Sequence, residues 1–322
     1  MNITVITPAA KHSRSGNRVT AVRWARLLRE LGHRVRVTDR YTPARADVRI
    51  AIHAYRSAEA IAACREHHPH DALIVLLAGT DVYRFQHSDP QPTLAAMAAA
   101  DRLVGLHELL AQDIPAPLRE RLRIIYQSAA PLPRPRQPSR RSVEVCVIGH
   151  LRAEKDPLLT ARAARALGSA SRVRIVHLGK AHDAHWEAAA RAEMARNPRY
   201  RWHGEVPAAA VRRVLARSHA MVISSRMEGG ANALSEAVVA GLPVLASHIP
   251  GNVGLLGAGH PGYFPPGDAH ALTGLLARAE RDPGFLAAAQ RHADARAERF
   301  SPHSERAAWQ ALLAELLSRE PR

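Results

Sequence analysis

The sequence predicts an α/β protein that consists of two doubly wound parallel-sheet domains in succession. Three observations indicate this fold class. Short apolar runs alternate with longer amphipathic segments along the chain, as in consecutive βα units. Residues 130–142, rich in proline and arginine and without an apolar period, interrupt the alternation, which then resumes. The length of 322 residues is also sufficient for two cores of ordinary domain size.

The first half begins with a buried strand at residues 3–7, which a polar loop joins to a helix over residues 17–31. Apolar side chains at helical spacing predict this helix, and Gly32 supplies its C-terminal stop. A second helix is expected over residues 58–66. The other apolar runs of this half are predicted strands of the same sheet: residues 35–38, 48–52, 72–77, 102–106 and 122–126.

The second half repeats the pattern. Its predicted strands are residues 143–149, 173–179, 220–225 and 242–247. Its predicted helices are residues 157–167, 183–196, 207–217 and 231–240, and a helical pattern fills most of 268–318. The expected division is a domain at 1–130, a linker at 131–142, a domain at 143–300 and a C-terminal helix at 301–322 that can pack back on the first domain. Ligands are expected where the carboxyl ends of the two sheets face each other.

Composition excludes several classes of function. The formal net charge is +16, but only three of the 45 basic residues are lysine and the arginines are scattered, which favours a solvated basic face over a nucleic-acid surface. No apolar run approaches the roughly 20 residues of a membrane helix. The N-terminus is typical of a first strand rather than of a signal peptide. We therefore expect a cytoplasmic protein without nucleic-acid or membrane partners.

The sharpest motif is SSRMEGGANALSEAVVAGLPV at residues 224–244. A strand ends there, a glycine turn that carries Glu228 follows, and a helix begins near Ala231. Gly229 and Gly230 allow the backbone to approach a ligand closely. The free N–H groups at the start of the helix would suit an anion.

Glu228 and Glu236 are eight residues apart, so one carboxylate lies in the turn and the other about two helical turns further, on roughly the same side. Two hydroxyl-bearing parts of one ligand could be held by this pair. An ordinary strand, glycine turn and helix with a solvated Glu236 explains the spacing equally well.

A basic loop follows the first strand of the same domain. GHLRAEKDPLL at residues 149–159 places Arg152 and Lys155 at the mouth of the same sheet edge, where their charge could neutralise a diphosphate leaving group. Later in the domain, YFPPGDAHAL at residues 263–272 gives a turn with Asp268 as a helix cap.

These three elements in this order resemble the nucleotide-sugar glycosyltransferases of GT-B fold, which have two Rossmann-like domains facing a central cleft and two glutamates separated by seven residues. The resemblance implies that Glu236 binds the nucleotide ribose, that Glu228 faces the transferred sugar and that Lys155 holds the diphosphate. His150 stands where the family usually has arginine, so the second phosphate contact would pass to Arg152. The implied catalytic residues are Glu228, Lys155 and Arg152, and the implied donor-binding residues are His150, Gly229, Gly230, Ala231, Asn232 and Glu236.

The N-terminal half narrows the resemblance. TPAAKHSRSGNRVTAVRWARLLRELGHRV at residues 7–35 is similar to the opening of the selenosugar synthases, which join a sugar from a UDP-sugar to selenium supplied as selenophosphate. The resemblance implies UDP-N-acetylglucosamine or UDP-glucose as the donor, selenophosphate as the acceptor and a selenosugar for selenoneine-type metabolite biosynthesis as the product. No cofactor is implied.

The loop before the first long helix fits an anionic acceptor, although a mobile surface loop is the alternative. Hydroxyl, amide and cationic groups there would form an oxyanion cradle. The predicted acceptor-binding residues of this cradle are Lys11, Ser15, Gly16, Asn17 and Arg18, with Ser13 and Arg14 beside them. Asp81, at a strand end in AGTDVYR, could contact acceptor or sugar, and a turn or helix cap is the alternative reading of it.

The sequence offers neither a general base nor an Asp-x-Asp metal motif for this reaction. We identify no general base, and selenophosphate, already anionic, would not require one. No Asp-x-Asp occurs in the chain, so a metal bridging the diphosphate is not indicated and basic residues would take that role.

Three other functions remain open. A GT-B transferase with a hydroxyl or thiol acceptor would have the same donor half. A Rossmann oxidoreductase could use Asp39 at the end of the second strand, although G-x-G-x-x-G is missing after the first strand. A protein that binds a nucleotide sugar without turnover would retain the same two glutamates and Lys155.

Overall fold

The computed structural model describes residues 1–13 and 15–318. The chain divides into two compact units: unit 1 comprises Met1–Gln127 and the segment from Pro302 onward, and unit 2 comprises Ser128–Ser301. Each unit contains one six-stranded parallel sheet with helices between its strands. The predicted class of two doubly wound α/β domains is confirmed. Arg14 and residues 319–322, which fall in the predicted acceptor loop and C-terminal helix, lie outside the described residues.

Unit 1 has the strand order β2-β1-β3-β4-β5-β6. Its strands are β1 Asn2–Ile6, β2 Arg34–Thr38, β3 Val48–Ile52, β4 Ala72–Leu76, β5 Arg102–Gly105 and β6 Leu122–Ile124. Its first five helices are α1 Gly16–Glu30, α2 Ala58–His67, α3 Gln86–Ser88, α4 Pro90–Ala99 and α5 Leu110–Asp113. A π-helical turn at Asp81–Phe85 and a 3-10 turn at Ala116–Arg121 complete the connections.

Unit 2 has the strand order β12-β11-β10-β7-β8-β9. Its strands are β7 Val143–Ile148, β8 Val173–Leu178, β9 Tyr200–Trp202, β10 Ala220–Ile223, β11 Val244–Ser247 and β12 Tyr263–Phe264. Its helices are α6 Leu159–Arg165, α7 Ala184–Arg196, α8 Ala208–Arg217, α9 Asn232–Val239, α10 Pro250–Leu256, α11 Ala269–Arg281 and α12 Pro283–Asp294. Short 3-10 turns lie at Ala153–Lys155 and Ala297–Phe300.

The last helix, α13 at Pro302–Leu317, belongs to the core of unit 1. Trp309 is fully buried there, and its ring meets that of Trp24 edge to face, with centroids 4.7 Å apart. The Trp24 indole N–H donates to the buried carboxylate of Glu305 at 2.8 Å. The chain therefore returns to its first domain to complete that core.

Two arginines of the sheet also hold α13. Arg123 and Arg102 both bind the Glu315 carboxylate, and these hydrogen bonds lower the pKa of Glu315 to about 2. The sheet edge at β5 and β6 is thereby joined to the end of the helix by charge-assisted contacts.

Several elements differ from the sequence expectation for local reasons. The helical pattern over 268–318 comprises three helices. Asp282 ends α11 and caps α12 by accepting the Phe285 N–H at 3.0 Å, and a 3-10 turn at Ala297–Phe300 separates α12 from α13. β9 and β12 have only three and two residues, too few to show a period. The stretch 131–142 belongs to unit 2, where the Gln137 backbone N–H donates to the Ala216 carbonyl oxygen at 2.8 Å. Among the described helices, none is both long enough and apolar enough to cross a membrane.

Candidate active site

The basic loop of unit 2 is shaped by an unusual backbone position. Lys155 ends a 3-10 turn, and Asp156 after it has a left-handed φ of 40°. The Ser224 hydroxyl, at the end of β10, lies 3.0 Å from both the Lys155 and the Asp156 carbonyl oxygens. This contact ties the loop after β7 to the loop after β10, so the basic loop and the glycine turn share one sheet edge.

Lys155 and Glu228 form the centre of this edge. The Lys155 ammonium donates to Glu228 Oε1, and the Ser225 hydroxyl donates to the same oxygen at 2.5 Å. Glu228 is only 8% exposed, so its charge is compensated by the ammonium and the hydroxyl rather than by bulk water. The carboxylate and the ammonium are held in one fixed arrangement.

The backbone beside Glu228 leaves no space for side chains. A Cβ at Gly251, in α10, would lie 2.1 Å from the Glu228 carbonyl oxygen. Gly230 has a φ of 143°, a conformation that other residues rarely adopt. The turn can therefore bring its own backbone close to a ligand.

Helix α9 begins directly after this turn. Ala231 is its N-cap residue and offers no side-chain cap, and no acidic residue lies in the first turn. The start of such a helix favours a negative charge. Asn232 opens the helix and Glu236, four residues on, follows on the same face, half-buried.

A buried histidine that the sequence analysis did not single out supports the basic loop. The Tyr200 hydroxyl lies 2.9 Å from His177 Nδ1, and His177 Nε2 lies 3.1 Å from the Gly149 carbonyl oxygen. Burial lowers the pKa of His177 to about 4, so the neutral ring accepts from the tyrosine and donates to Gly149. A Cβ at Gly179 would lie 1.9 Å from the same carbonyl oxygen, so this crossing requires glycine. A histidine inside the apolar run VRIVHLG was the available signal.

The other two basic side chains of the loop, His150 and Arg152, are half-buried. His150 Nδ1 accepts the Lys180 N–H at 3.1 Å, which fastens the loop after β7 to the loop after β8. Arg152 is half-buried, with its Nε 3.9 Å from a Glu154 carboxylate oxygen. Both stand at the same sheet edge as Lys155.

The predicted acceptor loop precedes α1 in unit 1. Ser15 is the N-cap residue, and its own N–H donates to Ser13 Oγ at 3.1 Å. Its buried hydroxyl has no hydrogen-bond partner among the described residues. The first turn of α1 contains no acidic residue, and Gly16, Asn17 and Arg18 form that turn. Lys11 is exposed in the preceding turn.

Asp81 lies at another point of the same sheet edge, fully buried. Its Oδ2 accepts the Ala78 N–H at 2.7 Å, and its Oδ1 accepts the Tyr55 N–H at 3.2 Å and contacts His53 Nδ1. A ligand would reach this carboxylate only through its neighbours. His53 comes directly after β3 and has a positive φ of 76°, and no motif marks it in the sequence.

Comparisons with known proteins are consistent with this arrangement. Residues 134–299, just over half of the chain, match the family model described as glycosyl transferases group 1. No curated protein matches the chain in sequence.

Solved structures resemble the whole chain. HepE from Anabaena, in complex with UDP and glucose, is 14% identical over 98% of this chain and 100% of its own, with a TM-score of 0.78. Sucrose-phosphate synthase from Thermosynechococcus elongatus is 15% identical over 98% and 99%, with a TM-score of 0.77. A glycosyltransferase from Rickettsia africae is 12% identical over 99% of both chains, with a TM-score of 0.71. These similarities confirm the GT-B fold predicted from the sequence.

Proposed function

Since the chain belongs to the glycosyl transferases group 1, we propose that it transfers a sugar from UDP-N-acetylglucosamine or UDP-glucose to the selenium of selenophosphate. Binding of the UDP-sugar is the first part of this proposal. The observation that supports it is the Lys155–Glu228 pair at the sheet edge where α9 begins. That edge holds an ammonium for the diphosphate, a carboxylate for the sugar and a helix start that suits an anion.

The similar structures support UDP as the nucleotide. HepE has been solved with UDP and with UDP-glucose, and its fold covers this chain almost completely. In the proposed mode, Glu236 accepts hydrogen bonds from the ribose, while Glu228 and the turn at Gly229 and Gly230 face the sugar. Ala231 and Asn232 direct the first N–H groups of α9 to the diphosphate.

The proposed reaction breaks the bond between the anomeric carbon and the diphosphate. The electron pair goes to the diphosphate oxygen, so negative charge increases there in the transition state. Lys155 and Arg152 stabilise this charge, with His150 holding their loop in place. The proposal requires no metal ion and no cofactor.

Replacing Glu236 with alanine is expected to weaken UDP binding. A charge-assisted hydrogen bond contributes about 1.5–3 kcal/mol, which corresponds to a roughly 10- to 100-fold weaker dissociation constant. Calorimetric titration with UDP measures the change. Glu187→Ala is the control, because Glu187 is an exposed glutamate of α7 paired only at the surface with Arg191. Equal UDP affinity of Glu236→Ala and the control would remove Glu236 from the site.

The acceptor half of the proposal is supported by the start of α1. An oxyanion is stabilised by free N–H groups at a helix N-terminus and by cations beside it. Gly16, Asn17 and Arg18 supply the first turn. Exposed Lys11 and the Ser15 hydroxyl, which has no partner among the described residues, lie next to it. Selenophosphate presents oxyanions of this kind.

Replacing Arg18 with alanine should raise the KM for selenophosphate by about 10-fold, the effect of losing one charge-assisted contact of roughly 1.5 kcal/mol. UDP affinity should be unchanged, because the two ligands are assigned to different units. Arg26→Ala is the matched control, since Arg26 is an exposed arginine of the same helix paired with Glu30. Steady-state kinetics with each substrate varied in turn measures the KM for selenophosphate and the KM for the UDP-sugar. A normal acceptor KM for Arg18→Ala would place the acceptor elsewhere.

The function itself is tested with a panel of UDP-sugars incubated with and without selenophosphate, with products analysed by mass spectrometry. A selenium-containing sugar that forms together with UDP supports the proposal. Transfer of the sugar only to hydroxyl or thiol compounds added to the same mixture would show that the acceptor is one of these and not selenophosphate.

A further inference from the structure

A chain of buried polar groups runs from helix α10 to Glu228 at the carboxyl edge of the unit 2 sheet. The Asn252 side-chain amide donates to Ser247 Oγ at 3.1 Å, and the Ser247 hydroxyl donates to the Ser225 carbonyl oxygen at 2.5 Å. The Ser225 hydroxyl donates in turn to Glu228 Oε1. Ser225, Ser247 and Asn252 are each at most 1% exposed, so bulk water does not compete for these bonds. We call these four residues the α10 network.

Every hydrogen bond of the α10 network has one possible direction. An amide nitrogen donates and a carbonyl oxygen accepts, so the Ser247 hydroxyl accepts from Asn252 and gives its own hydrogen to Ser225. An ionised carboxylate can only accept, so the Ser225 hydroxyl hydrogen points to Glu228. A hydroxyl that turned away would break a buried hydrogen bond, which is costly. The network therefore holds a single arrangement.

The Asn252 side chain is oriented in a way that stability alone does not explain. Its nitrogen also donates to the Ser247 carbonyl oxygen at 2.9 Å, so a flipped amide would place two oxygens face to face. Asn252 Oδ1 is consequently buried with no hydrogen-bond partner among the described residues, which is destabilising. The Ser247 carbonyl oxygen does not depend on Asn252, because it also accepts the Ile249 N–H at 2.9 Å. An apolar side chain of the same shape would suit the fold at least as well.

The network acts on one oxygen of Glu228. Oε1 accepts from the Lys155 ammonium and the Ser225 hydroxyl, whereas Oε2 has no hydrogen bond with any described residue. The backbone of Glu228 is fixed by the same helix, since a Cβ at Gly251 of α10 would lie 2.1 Å from the Glu228 carbonyl oxygen. The carboxylate is thus held through Oε1, and Oε2 is the oxygen left for a ligand.

We infer that Ser225, Ser247 and Asn252 are positioning residues that orient Glu228 toward the sugar of the UDP-sugar. A hydroxyl of the sugar donates to Glu228 Oε2 while the network and Lys155 hold Oε1. An acceptor that is already oriented strengthens binding, because no side-chain freedom is lost when the sugar arrives. The inference rests on the proposed function in one respect, that Glu228 faces the transferred sugar.

Replacing Ser247 with alanine is expected to weaken UDP-sugar binding by about 3- to 10-fold, the effect of one hydrogen bond, and to leave UDP binding unchanged. UDP carries no sugar for Glu228 to bind, so a general loss of structure would weaken both ligands together. The measurement is calorimetric titration with UDP, UDP-glucose and UDP-N-acetylglucosamine. Ser218→Ala is the matched control, because Ser218 is a buried serine that precedes β10, at the opposite edge of the same sheet.

Two further variants separate positioning from packing. Ser225→Ala should weaken UDP-sugar binding by a similar factor, and adding Ser247→Ala to it should have no further effect, because residues that act through one chain of contacts are not additive. Asn252→Leu keeps the shape and removes the unsatisfied acceptor. It should weaken UDP-sugar binding without lowering the melting temperature. A residue needed only for packing would lower the melting temperature instead.

This inference and the proposed function fail on different measurements. The inference is overturned if the ratio of UDP-sugar to UDP affinity is the same in wild type, Ser247→Ala and Asn252→Leu, or if the effects of Ser225→Ala and Ser247→Ala add. A protein that shows the expected affinity ratios but forms no selenium-containing product would refute selenophosphate as the acceptor and still support the α10 network. A wild-type protein that binds UDP but neither UDP-sugar would overturn both.

Discussion

Replacing Lys155 with methionine is expected to lower kcat by about 100- to 1,000-fold, the loss found when one group that stabilises transition-state charge is removed. Methionine retains most of the aliphatic length but no charge. In this variant the diphosphate would leave without its nearest ammonium. Glu228, 8% exposed, would also lose its cationic partner and retain the Ser225 hydroxyl, so repulsion of the leaving group would increase. Single-turnover kinetics at saturating UDP-sugar measures the step.

Two further variants separate chemistry from folding in this experiment. Arg191→Met removes a cation from an exposed pair with Glu187 and should leave kcat unchanged. Adding Glu228→Gln to Lys155→Met removes the uncompensated charge and should restore thermal stability without restoring kcat. A fully active Lys155→Met enzyme would show that the diphosphate is stabilised by other groups.

Replacing Trp309 with alanine is expected to destabilise unit 1 by about 3–5 kcal/mol, the usual effect of removing a buried large aromatic side chain. Trp309 is fully buried, and its edge-to-face contact with Trp24 would be lost with the ring. Urea unfolding, followed by circular dichroism, measures the change in the free energy of unfolding.

The control for this variant is Gln310→Ala, on the exposed side of the same helix, which should stay within about 0.5 kcal/mol of wild type. An equally small effect for Trp309→Ala would mean that α13 contributes little to the unit 1 core. A loss of several kcal/mol would show that the last helix is part of the first domain's folding unit.

The sequence predicts helices and strands well where apolar residues repeat at a regular spacing over enough positions. β1, β7 and α1 coincide closely with their predicted ranges, because apolar residues repeat at strand or helix spacing over five or more positions. β12 has two residues and takes its place only by pairing with β11, a long-range contact that no local pattern contains. The division of residues 268–318 depends on Asp282, which caps α12, and on a 3-10 turn at Ala297–Phe300 that separates α12 from α13.

The candidate site shows the same difference between residues that lie in a local motif and residues whose roles depend on distant partners. Lys155 and Glu228 were identified because each lies in a recognisable motif, and the structure joins them through a direct ion pair. His177 was missed because its role arises from a partner that lies 28 residues away in the chain. A histidine at the end of an apolar strand looks the same in sequence whether it supports a site or fills a core.

The central claim is that the anomeric carbon of a UDP-sugar becomes bonded to selenium. The most direct measurement is NMR of the product formed from selenophosphate and a UDP-sugar labelled at the anomeric carbon, with EDTA present throughout. The account predicts a one-bond coupling between selenium and the labelled carbon, with one UDP released for each product. A labelled carbon bonded only to oxygen, as free sugar or as a glycoside of another acceptor, would contradict it.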